Sequence, residues 1–122
     1  GCSPEQHTFS DDDLSYLSNI LPQLIEEKVA LMSTEYDAAD ILAEFITCLA
    51  FIGLRDHPSA QRGISSLLDN QNDSGTWGNY EAARERVGDV VDQLLYLHTT
   101  YVVLQALHES YQRLLPDDGG KE

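Results

Sequence analysis

The last long segment of the chain, residues 89–114, constrains the fold more than any other part of the sequence. Apolar residues recur there at alternating four- and three-residue spacing, and two further apolar stripes run beside the first. The first stripe consists of Val90, Leu94, Leu97, Tyr101 and Leu104. Three adjacent apolar stripes are typical of a helix that other helices surround. We therefore expect residues 89–114 to form the central helix of the fold.

The preceding segments also carry helical patterns and signals of helix boundaries. Ser10, followed by three aspartates, predicts a capped helix start, because the serine satisfies a free backbone donor and the acids face the positive end of the helix dipole. Pro22 lies inside the apolar run of that helix, so we expect a kink or two short helices there. A second helix is predicted over residues 36–53, with one wide apolar face.

The third predicted helix is short, and Asp56 or His57 is expected to cap it. No segment shows the period-two alternation of a β-strand. The sequence therefore predicts an all-α fold of antiparallel helical hairpins with about five helices. We expect one helical domain over residues 9–115, with disordered tails at residues 1–8 and 116–122.

The composition limits the classes of partner. At 122 residues and 42% hydrophobic content, the chain is long enough for one hydrophobic core and too short for two. It has 21 acidic and 7 basic residues, a net charge of −14. Because nucleic acids and anionic membranes are bound through Lys and Arg, this charge disfavours both as direct partners. No apolar run approaches the roughly 20 residues that span a bilayer. A basic partner or a cation is compatible with the charge, and so is simple solubility.

The two cysteines do not indicate a disulfide framework. Cys48 lies in an apolar helical run, where a cysteine usually acts as a small buried hydrophobe, whereas Cys2 lies in the polar N-terminal segment. This usage favours a cytoplasmic protein. The sequence Gly1-Cys2-Ser3 also resembles a bacterial lipoprotein cleavage site, so a lipoprotein anchored at Cys2 is the alternative.

Residues 67–78 contain apolar residues, Gln71, a short polar insert, Gly75, one residue, Trp77 and Gly78. This order resembles the QW repeat of the α/α-toroid proteins, which include squalene and terpenoid cyclases and the β-subunits of protein prenyltransferases. In those families the glutamine braces a helix end and the tryptophan packs on the preceding helix, which implies structural roles for these four residues. About five helices are too few for a closed toroid, so the resemblance implies a partial, open or dimer-completed one.

Residues 96–101 resemble the Tyr-His-Thr segment on an inner helix of prenyltransferase β-subunits. The histidine of that segment is a zinc ligand, and His98 occupies its place. The Asp-x-Cys pair that completes the family's site has no counterpart, since Cys48 has only Glu44 a full turn away. We therefore expect no cofactor, and the resemblance makes zinc held by His98, Cys48 and Glu44 the alternative.

His98 is the polar side chain that the pattern places in the predicted core. It is either a buried histidine satisfied by a neighbouring hydroxyl or carbonyl, or a ligand-binding residue that faces an interior cavity. Tyr96, Tyr101 and Trp77 would then line an aromatic pocket for an apolar small molecule, although aromatic residues at helical spacing more often fill a core. The catalytic residues are unknown, because the chain contains no HExxH, CxxC, P-loop, GxGxxG or GxSxG motif.

These features favour a non-catalytic helical binding or interaction module over an enzyme. Such a module is an accessory domain or a dimer-completed toroid fragment, with a protein partner or self-association. The alternative is an enzyme, or the remnant of one, that acts on an apolar, isoprenoid-like substrate around His98.

Overall fold

The computed structural model describes residues 10–111, which form five α-helices and one π-helical segment, with no strand in that range. The elements are α1 (Asp11–Ala30), α2 (Ala38–Phe51), α3 (Pro58–Asp69), α4 (Glu81–Val87), the π-helical segment (Asp92–Tyr96) and α5 (Leu97–Tyr111). The predicted all-α fold is confirmed. None of these helices combines the length and the apolar character that crossing a membrane requires. The predicted tails and Cys2 lie outside the described residues.

α1 begins at the predicted cap and continues through its proline. The Ser10 hydroxyl oxygen accepts a hydrogen bond from the Asp13 backbone N–H at 3.1 Å, and the Asp13 carboxylate accepts one from the Ser10 N–H at 3.3 Å. These reciprocal bonds satisfy two free donors of the helix end. Pro22 lies inside one 20-residue helix, so the expectation of two short helices is wrong. The proline and its neighbours Leu21 and Ile25 are buried, and a break there would remove that packing.

α3 begins at Pro58, and its cap is His57 rather than Asp56. The His57 Nδ1 atom accepts a hydrogen bond from the Ser59 backbone N–H at 3.0 Å. Glu26 links α1 to α3, because its carboxylate accepts hydrogen bonds from Arg62 Nε and from the Ser59 hydroxyl, each at 2.7 Å. The contact with Arg62, followed by that with Ser59, lowers the pKa of Glu26.

The central helix is α2, so the prediction that residues 89–114 occupy the centre is wrong. α2 contacts α1, α3 and α5, whereas α5 packs chiefly against α2 and continues from the π-helical segment. The α2 side chains of Leu42, Ile46 and Leu49 are fully buried. α2 also buries several alanines, which let neighbouring helices approach on more than one side.

α5 turns its smaller residues toward α2. Its inner face consists of Thr99, Val103, Ala106 and Ser110, all buried. Its outer face consists of Leu94, Leu97, Tyr101, Leu104, His108 and Tyr111, all exposed. Leu94 belongs to the π-helical segment that leads into α5. Most of the stripe that was predicted to be buried therefore faces solvent: Leu94 is 63%, Leu97 62%, Tyr101 65% and Leu104 53% exposed.

Candidate functional site

The loop between α3 and α4 is a hydrogen-bonded unit centred on Asn72. The Asn72 backbone N–H donates to the Thr76 carbonyl at 2.8 Å, and its side-chain amide donates to the Gly78 carbonyl at 3.0 Å. The Gly75 N–H donates back to the Asn72 carbonyl at 2.8 Å. These bonds order a segment with little apolar content, and they hold the intervening Trp77 in a fixed orientation.

Trp77 is buried against the end of α3. Its side chain is 2% exposed, and its ring N–H donates to the Leu67 carbonyl at 2.7 Å. That carbonyl lies in the last turn of α3 and also accepts a hydrogen bond from the Asn70 backbone N–H at 3.1 Å. The Gln71 amide donates to the Gly75 carbonyl at 2.9 Å, so the glutamine braces the loop itself. Gln71, Gly75, Trp77 and Gly78 thus lie in one structural turn.

Tyr96 and Tyr80 form a second buried cluster together with Val91. The Tyr96 hydroxyl accepts a hydrogen bond from the Tyr80 backbone N–H at 2.9 Å and donates one to Glu81 Oε2 at 2.5 Å. The two tyrosine rings meet edge to face, with their centroids 5.1 Å apart. Burial, followed by the contact with Glu81, raises the pKa of Tyr96. The Tyr96 hydroxyl therefore has a structural task in connecting α4 to the π-helical segment.

Arg84 joins α4 to the π-helical segment from the solvent side. Its guanidinium contacts both carboxylate oxygens of Asp92, at 2.8 and 3.1 Å, and also both carboxylate oxygens of Glu81. It lies 5.9 Å from the centre of the Tyr96 ring. The Arg84 contacts lower the pKa values of Asp92 and Glu81, and the same contacts raise that of Arg84. The start of the C-terminal helical region is thus fixed at several points.

Replacing Tyr96 with phenylalanine is expected to lower the free energy of unfolding by about 1–3 kcal/mol, because it leaves the buried Tyr80 N–H without its acceptor. Urea unfolding followed by circular dichroism measures the change. Tyr101→Phe is the matched control, since Tyr101 is 65% exposed and should tolerate the loss of its hydroxyl. Equal stability of the two variants would contradict the structural task of the Tyr96 hydroxyl.

His98 lies at the surface, so the prediction that it occupies the core is wrong. Its Nδ1 atom is 2.8 Å from Asp40 Oδ2, and its side chain is 59% exposed. The next residue, Thr99, enters the core instead, and its hydroxyl donates to the same Asp40 oxygen at 3.0 Å. The Thr99 hydroxyl is also 2.6 Å from the Tyr80 hydroxyl. The shorter, satisfied threonine fits the packed interface with α2, and the imidazole lies at its edge.

Glu44 lies one turn after Asp40 on α2. Partial burial, followed by the neighbouring Asp40 carboxylate, raises the pKa of Glu44. A raised pKa of an acid means that the folded state disfavours its charged form, so ionised Glu44 destabilises the fold at neutral pH. The destabilisation is relieved as the pH falls through the raised pKa.

Glu44→Gln is therefore expected to raise the urea midpoint at pH 7, and this advantage should shrink as the pH is lowered and Glu44 becomes protonated. Unfolding curves across that pH range measure both effects. Glu85→Gln, on the exposed surface of α4, is the control for a generic loss of negative charge. A Glu44→Gln variant whose advantage does not depend on pH would contradict the assignment.

The residues named for a ligand or a metal site do not converge. Among residues 10–111, no group of three His, Cys, Asp or Glu side chains is arranged to hold a metal ion, so His98, Cys48 and Glu44 do not form one. Tyr96 lines an open cavity of about 590 Å³ beside Arg84 and Asp92. In contrast, Trp77 lies in the core, and His98 and Tyr101 face solvent. These four residues do not enclose a common pocket for an isoprenoid-like substrate.

The outer face of α5 is exposed, although the sequence pattern predicted that most of it would be buried. Its six residues repeat at alternating three- and four-residue spacing over a length of about 26 Å. The residues that flank it are uncharged, with histidine counted as neutral: Gln93, His98, Thr100 and Gln105. The sequence contains one indication that this face is exposed. The residues that lie two positions after its members are mostly small, and they include Thr99 and Ala106. Helix faces that pack closely often carry such small residues.

Comparisons with protein families, with curated proteins and with solved structures found no match. The functional interpretation therefore rests on two structural features, the outer face of α5 and the network of contacts that holds this helix in place.

Proposed function

We propose that the chain is a non-catalytic helical interaction module that binds another protein helix on the outer face of α5. One observation supports the proposal most directly: four consecutive members of that face are large and apolar, and each is between half and two-thirds exposed. An apolar patch of several hundred Å² is among the largest that a folded monomer exposes, and such patches are often interaction sites. Alternating three- and four-residue spacing is the pattern by which one helix packs along another.

The support beneath the outer face favours the same function. The inner face of α5 packs on α2, and Arg84 ties the preceding π-helical segment to α4. Thr100 receives a hydrogen bond from the Trp77 backbone N–H at 3.3 Å, which adds a contact with the loop. A face that is ordered before binding loses little conformational entropy when a partner arrives.

The partial-toroid interpretation belongs to this proposal. A set of helical hairpins that is too short to close on itself leaves one helix face to be covered by another unit, and the outer face of α5 is of that kind. The packing of Trp77 on the end of α3 supports the interpretation. A cytoplasmic location is part of the same proposal, and its support is the cysteine usage alone.

A photo-crosslinking experiment tests the interaction function. Benzoylphenylalanine replaces Leu97 on the outer face or, as the matched control, Leu68, which is 49% exposed on α3. Each variant is expressed in the cells that naturally make the chain, irradiated and examined by denaturing electrophoresis and mass spectrometry. We expect a discrete protein adduct from position 97 and none from position 68. No adduct from position 97, or equal adducts from both, would overturn the proposal.

A further inference from the structure

We infer that the occupant of the outer face is a second copy of this chain, packed antiparallel so that two α5 helices form a twofold-symmetric pair. The inference rests on the proposed interaction function and adds the identity of the partner. Three properties of the face support it: its charge, the order of its residues and its area.

The charge favours a second copy. The chain carries a net charge of −14, so two copies repel each other over most of their surfaces. The outer face and its four uncharged flanking positions form a neutral strip within this acidic molecule. A strongly basic partner would be recognised by carboxylates along the strip, which the sequence does not place there. Two identical neutral strips can meet without bringing like charges together.

The order of residues along the face is self-complementary. In an antiparallel pair centred near residue 99, Leu94 of one copy lies opposite Leu104 of the second copy. At the same time Leu97 lies opposite Tyr101 of the second copy, so each central layer joins two large apolar side chains. A parallel pair would instead set every residue against its own copy and bring the two Glu109 carboxylates to the same end. The antiparallel pair places those carboxylates at opposite ends and opposes the helix dipoles.

The area predicts how tight the pair is. The four large apolar side chains that this register brings together offer roughly 450 Å² per copy at their observed exposures. Two copies would then bury roughly 900 Å², which is the size of a weak, transient interface. We therefore expect a reversible dimer with a dissociation constant in roughly the micromolar range, in exchange with the monomer.

Residues 1–9 and 112–122 are poorer candidates for the occupant. Residues 1–9 and 112–122 together contain only Phe9, Leu114 and Leu115 as large apolar residues. Three such residues are too few to cover the outer face, whose six members extend over about 26 Å. In the antiparallel pair, each copy supplies four large apolar side chains to cover the same four of the second copy.

Sedimentation velocity of the purified chain over a wide range of concentrations tests self-association. We expect a monomer–dimer equilibrium that Leu97→Glu weakens about 100-fold or more, because dimerisation would bury an unpaired carboxylate. Leu68→Glu, an exposed leucine on α3, should leave the equilibrium unchanged. Circular dichroism verifies that both variants are folded, and Leu104→Glu serves as a second variant of the same face.

Crosslinking from position 94 tests the orientation. In the purified chain, benzoylphenylalanine at Leu94 should yield a product of twice the monomer mass, with the attachment mapped near residue 104 of the second copy. Attachment near residue 94 of the second copy would overturn the antiparallel arrangement, and attachment to the chain's own ends would overturn the second copy as the occupant. A strict monomer that gives an adduct with a different protein from position 97 in cells would overturn this inference while preserving the interaction function. A strict monomer without any such adduct would overturn both.

Discussion

Replacing Trp77 with alanine is expected to lower the free energy of unfolding by about 3–5 kcal/mol. The substitution removes a side chain that is 2% exposed and packs in the main hydrophobic core. It also leaves the buried Leu67 carbonyl without the indole N–H that reaches it at 2.7 Å. Because small domains are stable by only about 5–15 kcal/mol, this loss is a large share of the total stability.

Circular dichroism with urea is the measurement, since the variant lacks the chain's single tryptophan and cannot be followed by its fluorescence. Trp77→Phe is the informative comparison, because it keeps part of the buried volume and removes the N–H donor. We expect it to be intermediate, with the residual loss reporting the smaller ring and the lost hydrogen bond from the indole N–H to the Leu67 carbonyl. An unchanged midpoint for the alanine variant would mean that the loop does not depend on Trp77.

Replacing Gly78 with alanine is expected to be the second most destabilising change. Gly78 has φ +99°, a backbone conformation that disfavours any Cβ by about 1–2 kcal/mol. An added Cβ would also collide with the ring of Tyr80. That ring cannot easily move, because it is packed against Tyr36 and Tyr96 and its hydroxyl is 2.6 Å from that of Thr99. Overpacking of this kind adds about 1–3 kcal/mol.

Gly75→Ala is the matched control, since Gly75 has φ +92° in the same loop but would bring its Cβ no closer than 3.9 Å to a neighbour. Both variants share the backbone penalty, so the difference between their urea midpoints reports the collision with Tyr80. We expect Gly78→Ala to be the less stable of the two. The reverse order would show that the Tyr80 ring has room to shift.

The local signals in the sequence led to correct predictions where the stabilising contact lies within a few residues. Ser10 caps α1 through Asp13, which is three residues away, and His57 caps α3 through Ser59, which is two residues away. In each of these cases the interacting groups are close in sequence, so the pattern of residue types contains both partners.

The signals were insufficient where the outcome depends on distant partners. Pro22 was expected to kink α1 or to divide it into two short helices, yet one helix continues through the proline, which the tertiary packing buries. His98 was assigned to the core, yet its neighbour Thr99 occupies the interface, since Asp40 of α2 accepts hydrogen bonds there. Asp40 is separated from these residues by more than half of the described chain, and no local pattern connects them.

The sequence pattern is sufficient to predict an all-α protein, the starts of several helices, and apolar residues on more than one face of the C-terminal helix. Helical periodicity and capping depend on the chain alone, and they are legible without knowledge of the neighbours. Which apolar face of α5 is buried depends, in contrast, on how the helices pack together. The inner face of Thr99, Val103 and Ala106 permits close approach to the alanine-rich α2, and the larger leucines and Tyr101 are left outside. The physical reason is that burial requires a surface of matching shape, and hydrophobicity alone does not specify one.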